Sequence, residues 1–282
     1  MKCPICYNTH FKRIFFMKEI ARWNNKKYPL FKCTKCGLVR PNPLPYTEIS
    51  KFPIYDSDDN LKFYNPKTKR IDFGDAEYKD YFKHFLQYVY FVKKYKIKGK
   101  HLDVGCGAGH IIQLLFDAGL NSEGLEISKK LFNSLKLRYK VHCSELNRLS
   151  SKYNLITLSH VLEHIINLEQ FVKELNKHLY TKGFVIVSIP YIKGIVPRLL
   201  RTKWYGLGHG QHLNLFSKKS LKLLFEKNGF KILEFKIGIL DYTHKRFPKP
   251  LNLGILFISE LIEYTLLGDN LYMVAIKSNN IK

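Results

Sequence analysis

The run His101-Leu102-Asp103-Val104-Gly105-Cys106-Gly107-Ala108-Gly109-His110 decides how the rest of the chain is read. It begins as a short apolar strand with an acidic residue at its end. Three glycines at alternate positions follow, and then a helical stretch over 111–118. Alternating glycines let the main chain turn tightly and leave no Cβ between the backbone and a ligand. The helix start brings unpaired N–H groups and the positive end of a dipole to the same place. Glycine turns also occur for purely structural reasons, so the flanks carry the reading. A second strand ends in Gly124-Leu125-Glu126-Ile127, which sets Glu126 23 residues past Asp103. An acidic side chain about 20 residues beyond such a turn is placed to grip a ribose diol. Loop and carboxylate together predict a ligand that carries a ribose.

Leu102 to Gly109 resembles the first motif of the class I S-adenosylmethionine-dependent methyltransferases. It departs from the dinucleotide pattern G-x-G-x-x-G, because the third glycine follows the second after one residue instead of two. That shorter turn suits a ligand with no pyrophosphate, and a nucleotide-sugar or NAD enzyme is the competing reading. The resemblance spans residues 99–277 and rests on this loop, on Glu126, on Ser159 to His164 and on Gly183 to Pro190. It implies a Rossmann-like α/β fold with a seven-stranded doubly wound sheet, mostly parallel with an antiparallel last strand. It also implies S-adenosylmethionine as cofactor. By the same resemblance Glu126 takes the ribose hydroxyls, and the loop of Gly105, Gly107 and Gly109 lies under the methionine part. Asp103 stands near the cofactor's ammonium, Ser144 and Glu145 border the adenine, and Ser159 completes the cofactor-facing set.

The order of elements agrees. Strands are predicted near 101–105, 123–127, 140–143, 154–159 and 183–189, and two more over 230–239 and 271–277. Gly183 to Pro190 is a continuous β-rich run, as a strand buried on both faces requires. Ser128 is placed to cap the helix after Glu126, and a helix over 217–229 starts at Ser217 and stops at Gly229. Tyr78, Phe82, Phe85, Val89 and Val92 recur at helical spacing, a pattern for a helix that covers the sheet ahead of its first strand.

The amino-terminal end carries a different signal. Cys3-Pro4-Ile5-Cys6 and Cys33-Thr34-Lys35-Cys36-Gly37 are two C-x-x-C knuckles with 26 residues between them. Each sets two thiolates on one face of a tight turn, and two such turns make a closed tetrahedral Zn²⁺ site with a folding role. Cys106 and Cys143 read as small unreactive fillers. The prolines of Pro41-Asn42-Pro43-Leu44-Pro45 exclude helix and inner strand and end this module. The expected division is a zinc-ribbon-like module over 1–45, a connector and covering helix over 46–98, and the catalytic domain over 99–282 with an insertion at 241–269.

At 282 residues and 45% hydrophobic content the chain supports one large domain and a small one. No signal peptide is visible, and a cytoplasmic location is expected. The apolar stretch Leu251 to Leu267 carries Glu260 and Glu263 and falls short of the ~20 clean residues a membrane span needs. The net charge of +24 invites a polyanion partner. Only nine of the 47 basic residues are arginine, however, and the lysines accompany abundant Ile, Asn, Tyr and Phe. That set reads as compositional bias, and the lysines concentrate only in 93–100.

Two histidine clusters remain. In Ser159-His160-Val161-Leu162-Glu163-His164 the string H-x-x-E-H has the form of an inverzincin peptidase signature. It follows directly on a strand, whereas that chemistry needs both histidines on one helical face. Some small-molecule and RNA methyltransferases carry E-x-x-E-H here as a divalent metal site. His160 replaces their first glutamate, which suits Mg²⁺ less than a softer metal. The resemblance instead sets His164 toward the substrate. Gly206 to Ser217 is a loop of glycines and histidines after the fifth strand, in which His209 and His212 are candidate substrate contacts and bases. The expected reaction is O-methylation of a saccharide or related small metabolite. An RNA methyltransferase is the first alternative, and a non-catalytic zinc-ribbon protein on a methyltransferase scaffold the second.

Overall fold

The computed structural model describes residues 1–18, 27–45, 64–65, 70–71, 83–238 and 268–278. Most of the expected connector, the positions Tyr78 and Phe82, and nearly all of the insertion with its apolar stretch lie outside these residues. Three amino-terminal strands, β1 (Phe11–Lys18), β2 (Lys27–Cys33) and β3 (Val39–Pro41), form an antiparallel sheet in that order. Two-residue strands β4 (Tyr64–Asn65) and β5 (Arg70–Ile71) pair with each other. Helix α1 (Leu86–Lys94) then leads into β6 (Lys100–Val104), α2 (His110–Asp117), β7 (Asn121–Leu125), α3 (Lys129–Leu135) and β8 (Val141–His142). The chain continues through β9 (Tyr153–Ser159), α4 (Leu168–Lys177), β10 (Leu179–Pro190), α5 (Ile195–Leu200), α6 (Lys218–Glu226), β11 (Phe230–Gly238) and β12 (Asn270–Lys277).

Seven strands form one sheet in the order β11-β12-β10-β9-β6-β7-β8. Neighbours from β10 to β8 are parallel, and β12 runs antiparallel to both β10 and β11. This is the expected doubly wound sheet with its antiparallel last strand. The strand alternation sorts the core into two faces. Leu102, Val104, Ile156, Leu158, Val185 and Val187 pack with Leu168 and Val172 of α4 and Leu221 and Phe225 of α6. On the other face Leu155, Ile186 and Val274 pack with Tyr88 and Phe91 of α1 and Ile111 and Leu115 of α2. Of the expected covering helix, the described part is a 3-10 turn at Lys83–Phe85 running into Leu86–Lys94, which packs on this face.

Local signals act as read. Ser128 accepts from Leu131 N at 3.3 Å, and Ser217 makes a reciprocal capping box with Ser220 at the start of α6. The chain passes from β6 outward to β7 and β8, then returns to the other side of β6 as β9. Ligands of doubly wound sheets bind outside the carboxyl ends of the strands at such a reversal. The glycine loop and the Ser159 to His164 segment leave adjacent strands there. Among the described residues no helix is long and apolar enough to cross a membrane.

The cysteine module does not stand apart. Cys3, Ile5, Cys33, Cys36 and Leu38 belong to the same apolar cluster as the sheet face under α4 and α6. Val39 bridges Leu215, Ser217 Oγ donates to Cys36 O at 2.9 Å, and Arg40 Nε donates to Leu213 O at 3.3 Å. The module thus clasps the segment between α5 and α6.

Candidate active site and four-cysteine cluster

The glycine loop turns through positive φ. Gly107 has φ of +54°, and a Cβ placed on it meets nothing within 4 Å, so the loop opens onto space that a ligand can fill. Its N–H donates to Glu126 Oε2 at 3.0 Å, and Ser128 N donates to Oε1 at 2.8 Å. Each carboxylate oxygen keeps acceptor capacity for a second donor. Burial pushes the Glu126 carboxyl up, against those two amides. Asp103 is 2% exposed and accepts from Thr157 Oγ1 at 2.6 Å. Burial pushes its carboxyl up to about 7. Past β8, Ser144 is half-buried and Glu145 exposed, and Ser159 is half-buried at the end of β9.

The segment after β9 packs on this loop. A Cβ on Gly105 would lie 2.7 Å from Val161 Cγ2. The neighbouring His160 takes φ of +55°, a left-handed conformation that costs a non-glycine residue of order 1–3 kcal/mol and clusters at functional sites. Its Nδ1 donates to Glu163 Oε1 at 3.0 Å, because a carboxylate only accepts. His160 Nε2 is shielded from solvent and has no hydrogen-bond partner among the described residues, and the same holds for Glu163 Oε2. Glu163 itself is fully buried. Burial alone raises such a carboxyl, but the hydrogen bond from His160 holds it below its usual range.

His164 and His212 meet edge to face, with ring centroids 4.8 Å apart. His164 Nδ1 donates to Gln211 O at 3.2 Å and His212 Nδ1 to Gly206 O at 2.8 Å. Carbonyls cannot donate, so both rings carry the proton on Nδ1 and the lone pair on Nε2. Glu163, His164 and His212 set ligand atoms within 4.8 Å of one another. Burial, then His164, pushes His212 down to about 3, and burial lowers His164 as well. His209 sits in the 3-10 turn Tyr205–Gly210, with its side chain outside the described residues. The residue that the sequence reading undervalued is His160. Its signal was the H-x-x-E-H string, whose geometry is a dyad and not a helical face.

The four knuckle cysteines converge, with Cys3 and Cys36 sulfurs 3.6 Å apart, Cys6 and Cys33 sulfurs 3.5 Å apart, and all four within 4.8 Å. Tetrahedral zinc with Zn–S near 2.3 Å needs sulfurs about 3.8 Å apart, so the set fits. Cys106 is buried and Cys143 exposed.

Residues 75–234 match the model of a family described as a methyltransferase domain. The chain belongs to that family. Among its relatives is the ubiquinone biosynthesis O-methyltransferase of Pelagibacter ubique (strain HTCC1062), 25% identical over 180 residues that cover 55% of this chain and 75% of that protein. The corresponding enzyme of Rickettsia prowazekii (strain Madrid E) is 30% identical over 96 residues, 31% of this chain and 38% of that one. A SAM-dependent methyltransferase structure from Archaeoglobus fulgidus superposes with a TM-score of 0.51 at 16% identity, covering 73% of this chain and all of that one. Magnesium protoporphyrin IX methyltransferase from Synechocystis PCC 6803 with bound SAH gives 0.51 at 18% identity, over 72% and 88% of the two chains. The family match and the named relatives make the protein a methyltransferase. The two superpositions speak for the fold.

Proposed function

We propose that this methyltransferase acts on a hydroxyl of a small-molecule acceptor. The observation that carries the reading is the His160–Glu163 dyad packed beside the glycine loop. Methyl transfer is an in-line displacement at a sulfonium carbon, so the enzyme aligns two reactants and takes one proton. In this reading Glu126 holds the ribose, Gly105, Gly107 and Gly109 leave room for the methionine part, and Asp103 pairs with its ammonium. Ser144 and Glu145 border the adenine and Ser159 the mouth of the site. His160 Nε2 receives the acceptor's proton while buried Glu163 stabilises the resulting imidazolium, the division of labour of a His–carboxylate pair. His212, driven down to about 3, is a poor proton acceptor, so His164 and His212 shape the acceptor pocket instead of serving as the base.

A second reading rests on the tautomers of His164 and His212. Their Nε2 lone pairs and Glu163 Oε2 form a donor set for a divalent transition metal, with carbonyls orienting both rings from behind. Such an ion would lower the pKa of an acceptor hydroxyl. More than one metal per chain, with the excess lost in His212→Ala but kept in the cysteine variants, is the result that selects it.

The two relatives named above are ubiquinone biosynthesis O-methyltransferases, so quinone-precursor hydroxyls head the acceptor panel, ahead of saccharides. The RNA alternative loses support within the lysine run, where Lys94 pairs with Glu234 and Lys100 with Glu123. Labelled methyl uptake is expected on a small hydroxylated acceptor and not on RNA, and labelling of RNA alone would reverse the choice. The cofactor assignment has its own test. Glu126→Ala is expected to weaken S-adenosylmethionine binding at least about tenfold by calorimetry, since each hydrogen bond to a charged group is worth roughly 1.5–3 kcal/mol.

A further inference from the structure

We infer that His101 and Thr157 are positioning residues for the cofactor, members of a directional relay inside the sheet that favours the ionised form of the Asp103 carboxylate and aims it at the amino group of S-adenosylmethionine. The inference rests on the placement of Asp103 proposed above. Four side chains on three neighbouring strands are linked. Ser122 Oγ of β7 lies 3.0 Å from His101 Nδ1 of β6, His101 Nε2 lies 2.8 Å from Thr157 Oγ1 of β9, and Thr157 Oγ1 lies 2.6 Å from Asp103 Oδ1. His101 and Thr157 are fully buried, Asp103 is 2% exposed and Ser122 8%.

Only one arrangement of protons satisfies the ionised chain. A carboxylate accepts, so Thr157 spends its one proton on Asp103. The Thr157 oxygen must then accept from His101, which puts the ring proton on Nε2. His101 Nδ1 consequently carries the lone pair and accepts from Ser122. Burial holds His101 down to about 3, so the ring stays neutral at working pH and keeps this tautomer. Linked donors in a low-dielectric interior polarise and strengthen one another.

The placement argues for use and not for packing. His101 and Thr157 occupy central sheet positions whose neighbours Leu102, Leu155 and Ile156 are fully buried and apolar. Among the described residues Thr157 supplies the one hydrogen bond to the Asp103 carboxylate. Among the described residues the titratable groups facing Asp103 are Glu126 beyond β7, Tyr88 from α1 and Cys106 from the glycine loop, and none of these is a cation. A lysine or arginine there would stabilise the carboxylate but compete with the ligand's ammonium. A neutral relay stabilises it and leaves the positive partner to be supplied by the cofactor.

The sign of the pH dependence follows. Binding of the ammonium needs ionised Asp103, so affinity rises with pH through the titration of that group and falls as it is protonated. The test measures calorimetric affinity of the full chain for S-adenosylmethionine and for 5′-methylthioadenosine, which lacks the amino-acid part, between about pH 5.5 and about pH 8.5. In the native protein the first ligand is expected to bind more tightly as pH rises through about 7, and the second to show a flat profile. Thr157→Val is expected to move the midpoint up by about one pH unit and to weaken S-adenosylmethionine roughly tenfold near neutral pH, while leaving methylthioadenosine unchanged. Thr157→Ser keeps the hydroxyl and is expected to restore the native profile. A Thr157→Val protein that loses thermal stability but keeps the native midpoint and ligand ratio overturns the relay. Asp103→Asn separates the two layers of the argument. Unchanged S-adenosylmethionine affinity in that variant overturns the assignment of Asp103 and the relay with it. Weakened affinity there, beside an unshifted Thr157→Val profile, overturns the relay alone.

Discussion

Cys33→Ser is expected to remove bound zinc and most of the methyl-transfer activity together. Metal analysis of the native chain should show about one zinc held by Cys3, Cys6, Cys33 and Cys36, and the variant should show little. Apparent binding free energies of structural zinc run to about 10–16 kcal/mol in small domains, so the loss exceeds what a small module can absorb. The consequence reaches beyond the first 45 residues. Cys3, Cys33, Cys36 and Leu38 share the core of the catalytic sheet. Val39, Arg40 and the Cys36 carbonyl hold Leu215, Leu213 and Ser217, the residues that follow His212. A Cys33→Ser chain that keeps its zinc refutes the ligand set. One that loses zinc but keeps full turnover shows the clasp to be dispensable.

His160→Gln and Glu163→Gln are expected to cut kcat by about 10²–10⁴, the usual range for removing a positioned general base, with S-adenosylmethionine affinity within about twofold of native. Glu163 is fully buried and its Oε1 accepts from His160, so the two variants disable one unit. The double variant should therefore be little worse than either single one, as for groups that act together. His212→Ala is expected to act differently, raising KM for the acceptor more than it lowers kcat. The reverse pattern, with His212→Ala nearly inactive and His160→Gln nearly native, would move the base or a metal to the His164–His212 pair.

The glycine loop and the carboxylate behind it were legible from the sequence. Glycine spacing, the acidic residue 23 positions past Asp103 and the alternation of strands with helices are local or short-range patterns. They state backbone needs directly: positive φ at Gly107, a cap at Ser128, a two-faced burial for β10. The two knuckles were equally readable, because C-x-x-C spacing sets its own turn geometry.

The histidine cluster was not readable in the same way. Which histidine pairs with Glu163 depends on how the chain turns after β9, and His160 achieves it through a left-handed backbone that residue type alone does not announce. That His212 meets His164 edge to face, and that the cysteine module grips the loop beside it, are contacts across 48 and more than 170 residues. The relay from Ser122 to Asp103 hides for the same reason. Asp103 on β6 and Thr157 on β9 sit between apolar residues, and Ser122 on β7 sits between Asn121 and Glu123, so no single strand shows that these side chains meet. The sequence by itself determined the sheet, the glycine loop and the paired cysteine knuckles, since these follow from periodicity and turn chemistry. Only the tertiary structure decided which buried polar groups face one another, because that is set by strand order and register across the whole chain.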